Sequence, residues 1–167
     1  MKRGFTLIEL LVVIAILGIL GAAVLVALDP LEQLARGRDA GRKSSTAQVG
    51  KALQSYYTVN QAYPVIAGWD ASLTSSGEIK VFPGAVAGAV AAACTGGTLT
   101  SGYCYKTNVT DVVVYTHLES KAEKNKGTCA GVAANTWYVF SGADGKAGTL
   151  CQAAEPAAGT AYGASLL

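Results

Sequence analysis

Lys2-Arg3-Gly4-Phe5-Thr6-Leu7-Ile8-Glu9 leads into Leu10–Leu28, LLVVIAILGILGAAVLVAL, a run of 19 residues without a charge or a strongly polar side chain. At 1.5 Å per residue, about 20 helical residues cross the hydrocarbon core of a bilayer. A helix on a soluble core carries a polar stripe at a period of 3.6 residues, and this run has none. It is read as a helix that sits in lipid, in a bundle of helices, or in each at different times. Glu9 lies inside the apolar stretch, where a carboxylate costs roughly 2.5–3.5 kcal/mol unless it is paired or near the interface. No Lys or Arg lies within reach along its own helix. Gly18, Gly21, Ala22 and Ala23 form a small-residue patch, and the small-xxx-small spacing of Gly18 and Ala22 lets another helix approach closely.

Lys2 to Leu10 with the apolar run behind it resembles the N-terminal signature of type IV pilins and pseudopilins, and the resemblance is specific over Lys2 to Leu28. It implies that prepilin peptidase cuts between Gly4 and Phe5 and that Phe5 becomes an N-methylated first residue. It also implies that Glu9 recognises the Phe5 α-amine of a neighbouring subunit. An ion pair between chains relieves the cost of the buried carboxylate and fixes axial register. The proline common within the family's apolar helix is missing; Gly18 and Gly21 offer local softness there, and Asp29-Pro30 comes only at the end of the run. The implied fold is α+β, a long N-terminal helix with its apolar half protruding, packed against a small antiparallel sheet.

The function this implies is that of a structural subunit of a type IV pilus-like filament. The precursor is held in the inner membrane as a single pass with its C-terminus outside, and mature subunits polymerise as a helical homopolymer on the cell surface. The partners are identical or homologous pilin subunits, prepilin peptidase, membrane lipid before assembly and, indirectly, the assembly platform and its ATPase. The alternative within the family is a pseudopilin of a type II secretion or DNA-uptake system. From another class, a monomeric membrane-anchored extracytoplasmic binding module predicts an N-terminus that is intact or conventionally cut. An ordinary signal peptide would also use Lys2-Arg3 and cut near Gly21-Ala22-Ala23, but Glu9 interrupts its apolar core and the run continues to Leu28. Arg36, Arg38, Arg42 and Lys43 blur the positive-inside signal of Lys2 and Arg3, so cysteine usage and the resemblance set the orientation.

Four segments follow: 1–4, a cationic leader; 5–28, the apolar helix; 29–61, its amphipathic continuation; and 62–167, a Gly/Ala-rich β domain. Leu31, Leu34, Val49, Leu53, Tyr56 and Tyr57 recur at helical steps and are expected to face the sheet. Arg36, Arg42, Lys43, Gln48 and Lys51 are expected to face solvent or neighbours. Gly37, Gly41 and Gly50 weaken this helix by about 1 kcal/mol each relative to Ala, and Asn60 to Pro64 stops it. A short helix is expected over Ala85–Ala93. Strands are expected over Gly102–Thr107, Val112–Leu118 and Thr136–Phe140, with Ser141–Gly145 turning into Thr149-Leu150-Cys151. The tail from Ala153 to Leu167 has weak structure signals.

Cys94, Cys104, Cys129 and Cys151 all lie in the C-terminal half and none is spaced as C-x-x-C, so they read as two disulfides in an oxidising compartment. Three connectivities are open; the sequential pairs Cys94–Cys104 and Cys129–Cys151 close the shortest loops. Lys2 and Arg3 account for the whole formal net charge of +2, so the processed chain is neutral and charge offers no support for nucleic acid as a partner. His117-Leu118-Glu119 shares H-x-E with zinc deaminases but lacks their P-C-x-x-C. Asp144 with Asn135 and Glu155 falls short of the six to eight oxygens calcium takes. Asn108-Val109-Thr110 fits the glycosylation sequon. No nucleophile–base pair, metal cluster or cofactor fingerprint is legible. A non-enzymatic chain without metal or cofactor is expected.

Overall fold

The computed structural model describes residues 4–85, 94–108, 110–129 and 135–167. All but the first residue of the expected helix Ala85–Ala93 lies outside them. The chain divides into two compact units, Met1–Leu34 and Ala35–Leu167.

In the first unit, α1 (Leu7–Leu28) has 22 residues, none of them buried, a rise of about 33 Å against a hydrocarbon core of about 30 Å. It passes through Gly18 and Gly21 as one helix, and the discontinuity falls at Asp29 (φ 39°, ψ 73°). A short polar side chain tolerates this left-handed backbone better than a bulky one. Asp29 also starts α2 (Pro30–Asn60). Its Oδ1 accepts from Glu32 N at 3.3 Å, and its carbonyl accepts from Glu32 N at 3.0 Å and Gln33 N at 3.2 Å. Pro30 takes the first helical position, where a missing N–H leaves no bond unmade. Leu31 and Leu34, expected to face the sheet, are instead exposed, at 76% and 59%.

In the second unit, α2 continues from Ala35, and α3 (Trp69–Ser75) joins it on one face of a five-stranded antiparallel sheet. The strands β1 (Thr98–Thr100), β2 (Tyr103–Thr107), β3 (Val112–His117), β4 (Asn135–Ser141) and β5 (Lys146–Gln152) lie in sequence order. Side chains alternate between faces. Tyr103, Tyr105, Val112, Val114 and Phe140 meet Val49, Leu53, Trp69 and Leu73. Cys104, Val113, Tyr115, Trp137, Val139 and Leu150 point the other way and are covered by Tyr162 of the tail, with Ala158 and Leu166 beside it. Both faces are therefore buried, which is why Val112 to Tyr115 reads as an unbroken apolar run.

The tail that had weak signals is fixed by long-range bonds. Leu167 exchanges backbone hydrogen bonds with Thr149 at the edge of β5, N to O at 2.9 Å and O from N at 3.1 Å. Asp144 accepts from Tyr162 N at 2.6 Å and Gly163 N at 3.2 Å, contacts that hold its carboxyl below the usual range. Glu155 receives Lys106 Nζ at 2.7 Å, Thr95 N at 2.9 Å, Thr95 Oγ1 at 3.0 Å and Tyr115 Oη at 3.1 Å. Led by Lys106, and against the cost of burial, these donors hold its carboxyl down to about 2. A depressed carboxyl contributes stability that is fully present above its ordinary value of 4.5 and is lost as pH falls toward about 2. The Thr95 amide shift is expected to follow that acid step in an NMR titration, and Glu155→Gln is expected to abolish the step.

Gly50 is not merely a weak point of α2. A methyl group there would overlap the ring of Phe140, so its absence lets the helix approach β4. Gly50→Val is expected to lower stability by about 1–3 kcal/mol through overpacking. Gly37 has open space around it, so Gly37→Ala is expected to raise stability by up to about 1 kcal/mol. Thermal unfolding of the two variants would show opposite signs.

Arg42 corrects the expectation that it faces solvent. The inward stripe of α2 runs Asp39, Arg42, Thr46, Val49, Leu53, all buried, and its first half is polar. Arg42 Nη1 binds Asp39 Oδ1 at 2.7 Å and Glu119 Oε1 at 3.0 Å, with the Asp39 and Arg42 side chains 3% and 2% exposed. Arg38 Nε shares Glu119 Oε1. Asp39 also accepts the backbone N–H of Glu119 at 3.1 Å and of Ser120 at 2.9 Å. The turn after β3 presents donors, and the helix meets them with a carboxylate.

Candidate processing and assembly site

Gly4 and Phe5 precede α1 in non-helical backbone. Nothing lies within 4 Å of where a Gly4 Cβ would stand, and Phe5 is 83% exposed. The peptide bond between them is thus open to a protease. Lys2 and Arg3 lie outside the described residues. Thr6, in extended conformation at φ −81° and ψ 153°, is the N-cap of α1, and Glu9 is its third helical residue. Glu9 N donates to Thr6 Oγ1 at 3.3 Å, while Glu9 Oε2 receives both Thr6 N and Thr6 Oγ1 at 2.8 Å. This reciprocal capping box satisfies donors that a helix start otherwise leaves open. Thr6-Leu7-Ile8-Glu9 ahead of an apolar run is its sequence signal, which a reading of Glu9 as a bare buried charge passes over. All the capping contacts to the carboxylate fall on Oε2.

Phe5, Ile8, Glu9, Val12 and Val13 line one shallow, apolar stretch of helix surface. Gly18 and Gly21 have open space around them, and Ala22 is exposed. The processing and assembly residues read from sequence thus lie on one exposed segment, Gly4 to Ala22.

The other candidates go separate ways. Cys94 pairs with Cys104 and Cys129 with Cys151, at Cα separations of 5.6 and 5.1 Å, inside the ordinary range for a disulfide. His117 stands edge-on to Trp137 at 5.2 Å, and burial pushes its pKa down. Glu119 is taken by Arg38 and Arg42, Arg38 first in holding its carboxyl below the usual range. Asp144 and Glu155 serve the tail. Among the described residues, no three His, Cys, Asp or Glu side chains gather as a metal site.

The helical run from Leu7 is long and apolar enough to cross a membrane, which fits a membrane-anchored precursor. No curated protein and no solved structure matches the chain. Residues 1–25 match the family described as the prokaryotic N-terminal methylation motif. With an exposed Gly4–Phe5 bond, a carboxylate four residues beyond it and an uncovered apolar helix behind, this chain carries the N-terminal signature of type IV pilins and pseudopilins.

Proposed function

We propose that the chain is a structural subunit of a type IV pilus-like filament, cut after Gly4 by prepilin peptidase and polymerised through α1, and that its role is not catalytic. The observation that carries this reading is the exposure of α1. Every large apolar side chain from Phe5 to Leu28 that stands exposed does so by 47% or more, and a surface of that size requires lipid or other copies of itself to cover it. Lipid serves the precursor and helix packing serves the polymer, with Gly18, Gly21 and Ala22 allowing close approach.

Cleavage between Gly4 and Phe5 would release an α-amine one turn before Glu9. Within one chain, Oε2 is engaged by Thr6; the amine of a neighbour's Phe5 would be received by the same carboxylate through Oε1. The cap thus keeps the acid oriented until a subunit arrives.

Mass spectrometry of the protein from its native host tests the reading directly. A chain beginning at methylated Phe5 is the expected result, and one beginning at Met1 or near Val24 would overturn it. Gly4→Val is expected to leave the precursor at full mass, with no filaments by electron microscopy.

A further inference from the structure

Leu31 and Leu34 belong to the same compact unit as α1. Three positions apart in the first turns of α2, they are neighbours on one side of that helix, and both are more than half exposed. The folded chain leaves them open. A lone exposed leucine on a surface carries no message, but this pair continues the uncovered apolar surface of α1, whose last residue, Leu28, is 58% exposed.

The hydrocarbon of a bilayer does not reach them. With Glu9 near one interface, Leu10–Leu28 alone rises about 28 Å, enough to cross a core of about 30 Å. Asp29 and Glu32 flank Leu31 in the next turn, and carrying their carboxyl groups into the core would be costly. Two large apolar side chains thus stand just past the layer that covers α1 in the precursor.

The pairing proposed for assembly sets what lies beside them in the polymer. If Glu9 of one copy receives the Phe5 amine of the next, two parallel helices are offset by four residues, about 6 Å. The last apolar turn of the neighbour's α1, with Leu25, Val26 and Leu28 each exposed by 58% or more, then stands level with residues 29–32. Helices offset in this way leave an end turn facing polar chain unless apolar side chains continue past Leu28, as Leu31 and Leu34 do.

We propose that Leu31 and Leu34 are a contact for a second copy of this chain, receiving the end of the neighbour's α1 around Leu25 and Leu28. The inference rests on the assembly role given to α1 and Glu9. It carries the subunit contact beyond the Asp29 break and separates two tasks: α1 meets lipid first and helices later, whereas Leu31 and Leu34 are covered only in the polymer.

Leu34→Cys tests the contact. All four native cysteines are disulfide-bonded, so the introduced thiol is the one that reacts. A water-soluble maleimide is expected to label it readily in the membrane-held precursor and about tenfold more slowly in sheared filaments, where labelling waits on local opening. Equal labelling in the two states overturns the proposal. So does protection already present in the precursor, which would assign the leucine to lipid or to its own chain. Leu31→Gln/Leu34→Gln supplies a second measurement. It is expected to enter the membrane, lose its leader and unfold thermally like the parent, but to yield about one third or less of the parent's sheared filament, because apolar burial between copies is lost. Normal filament yield overturns the contact, as does a variant that fails to enter the membrane or unfolds at lower temperature. A parent chain that keeps its leader or forms no filament refutes the reading beneath the inference, whereas a parent that polymerises while Leu34→Cys stays labelled refutes only this contact.

Discussion

Glu9→Ala is expected to yield a precursor that is still cut after Gly4 but forms at most about one tenth of the normal filament mass. Removing the acid from one side of the proposed contact leaves the Phe5 amine of the next subunit buried and unpaired, and breaking one partner of a buried pair costs about 3–5 kcal/mol. Because every subunit would both offer an amine and receive one, the loss recurs along the polymer. The capping box allows a sharper version of the experiment. Glu9→Gln keeps an oxygen that can accept from Thr6, since Gln also serves at this capping position, but it removes the charge. Thr6→Ala does the opposite, removing the cap at about 1 kcal/mol while leaving the carboxylate. If charge pairing sets register, Gln fails as badly as Ala, and Thr6→Ala assembles nearly as well as the parent. Should Glu9→Gln give normal filaments while Thr6→Ala does not, Glu9 matters only as a helix cap. Mass spectrometry for processing and sedimentation of sheared filaments distinguish the outcomes.

Arg42→Ala is expected to be the most damaging single change in the second unit, at about 3–5 kcal/mol, a large share of the 5–15 kcal/mol that holds a typical domain together. It leaves Asp39 buried at 2% exposure without its guanidinium. Exchanging the pair for apolar residues is often harmless elsewhere. It is not expected to be so here, because Asp39 also receives the N–H groups of Glu119 and Ser120, and an orphaned buried donor costs about 1–3 kcal/mol. Asp39→Leu/Arg42→Met should therefore remain destabilised relative to the parent, by less than Arg42→Ala alone. Denaturant unfolding of the three proteins measures the order.

What could be read in advance divides by range. The first 28 residues declare themselves locally, since an apolar run, a lone acid and a glycine ahead of Phe5 need no distant partner to be recognised. β3 was legible because valines at 112, 113 and 114 suit a strand buried on both faces. β1, only Thr98–Thr100, is too short to carry a pattern. β5 starts with Lys146-Ala147-Gly148, weak strand formers, and Gly148 is needed because Leu166 packs where its side chain would stand. Arg42 reads as solvent-facing because charged residues seldom bury unpaired, and its second acid, Glu119, lies 77 positions away. The tail was unreadable for the same reason, its anchors Lys106 with Glu155 and Asp144 with Tyr162 being 49 and 18 residues apart.

The two cross-links also set how far the chain could stretch if a filament were pulled. Each withholds its enclosed loop from extension, spanning sequence separations of 10 and 22 residues, and after the 5.6 and 5.1 Å that the bridged Cα pairs still span, together they keep back about 100 Å of contour at roughly 3.4 Å per residue. Under tension, a subunit torn open would therefore yield a shorter leash than its length suggests, and adding a reductant would lengthen it by that amount.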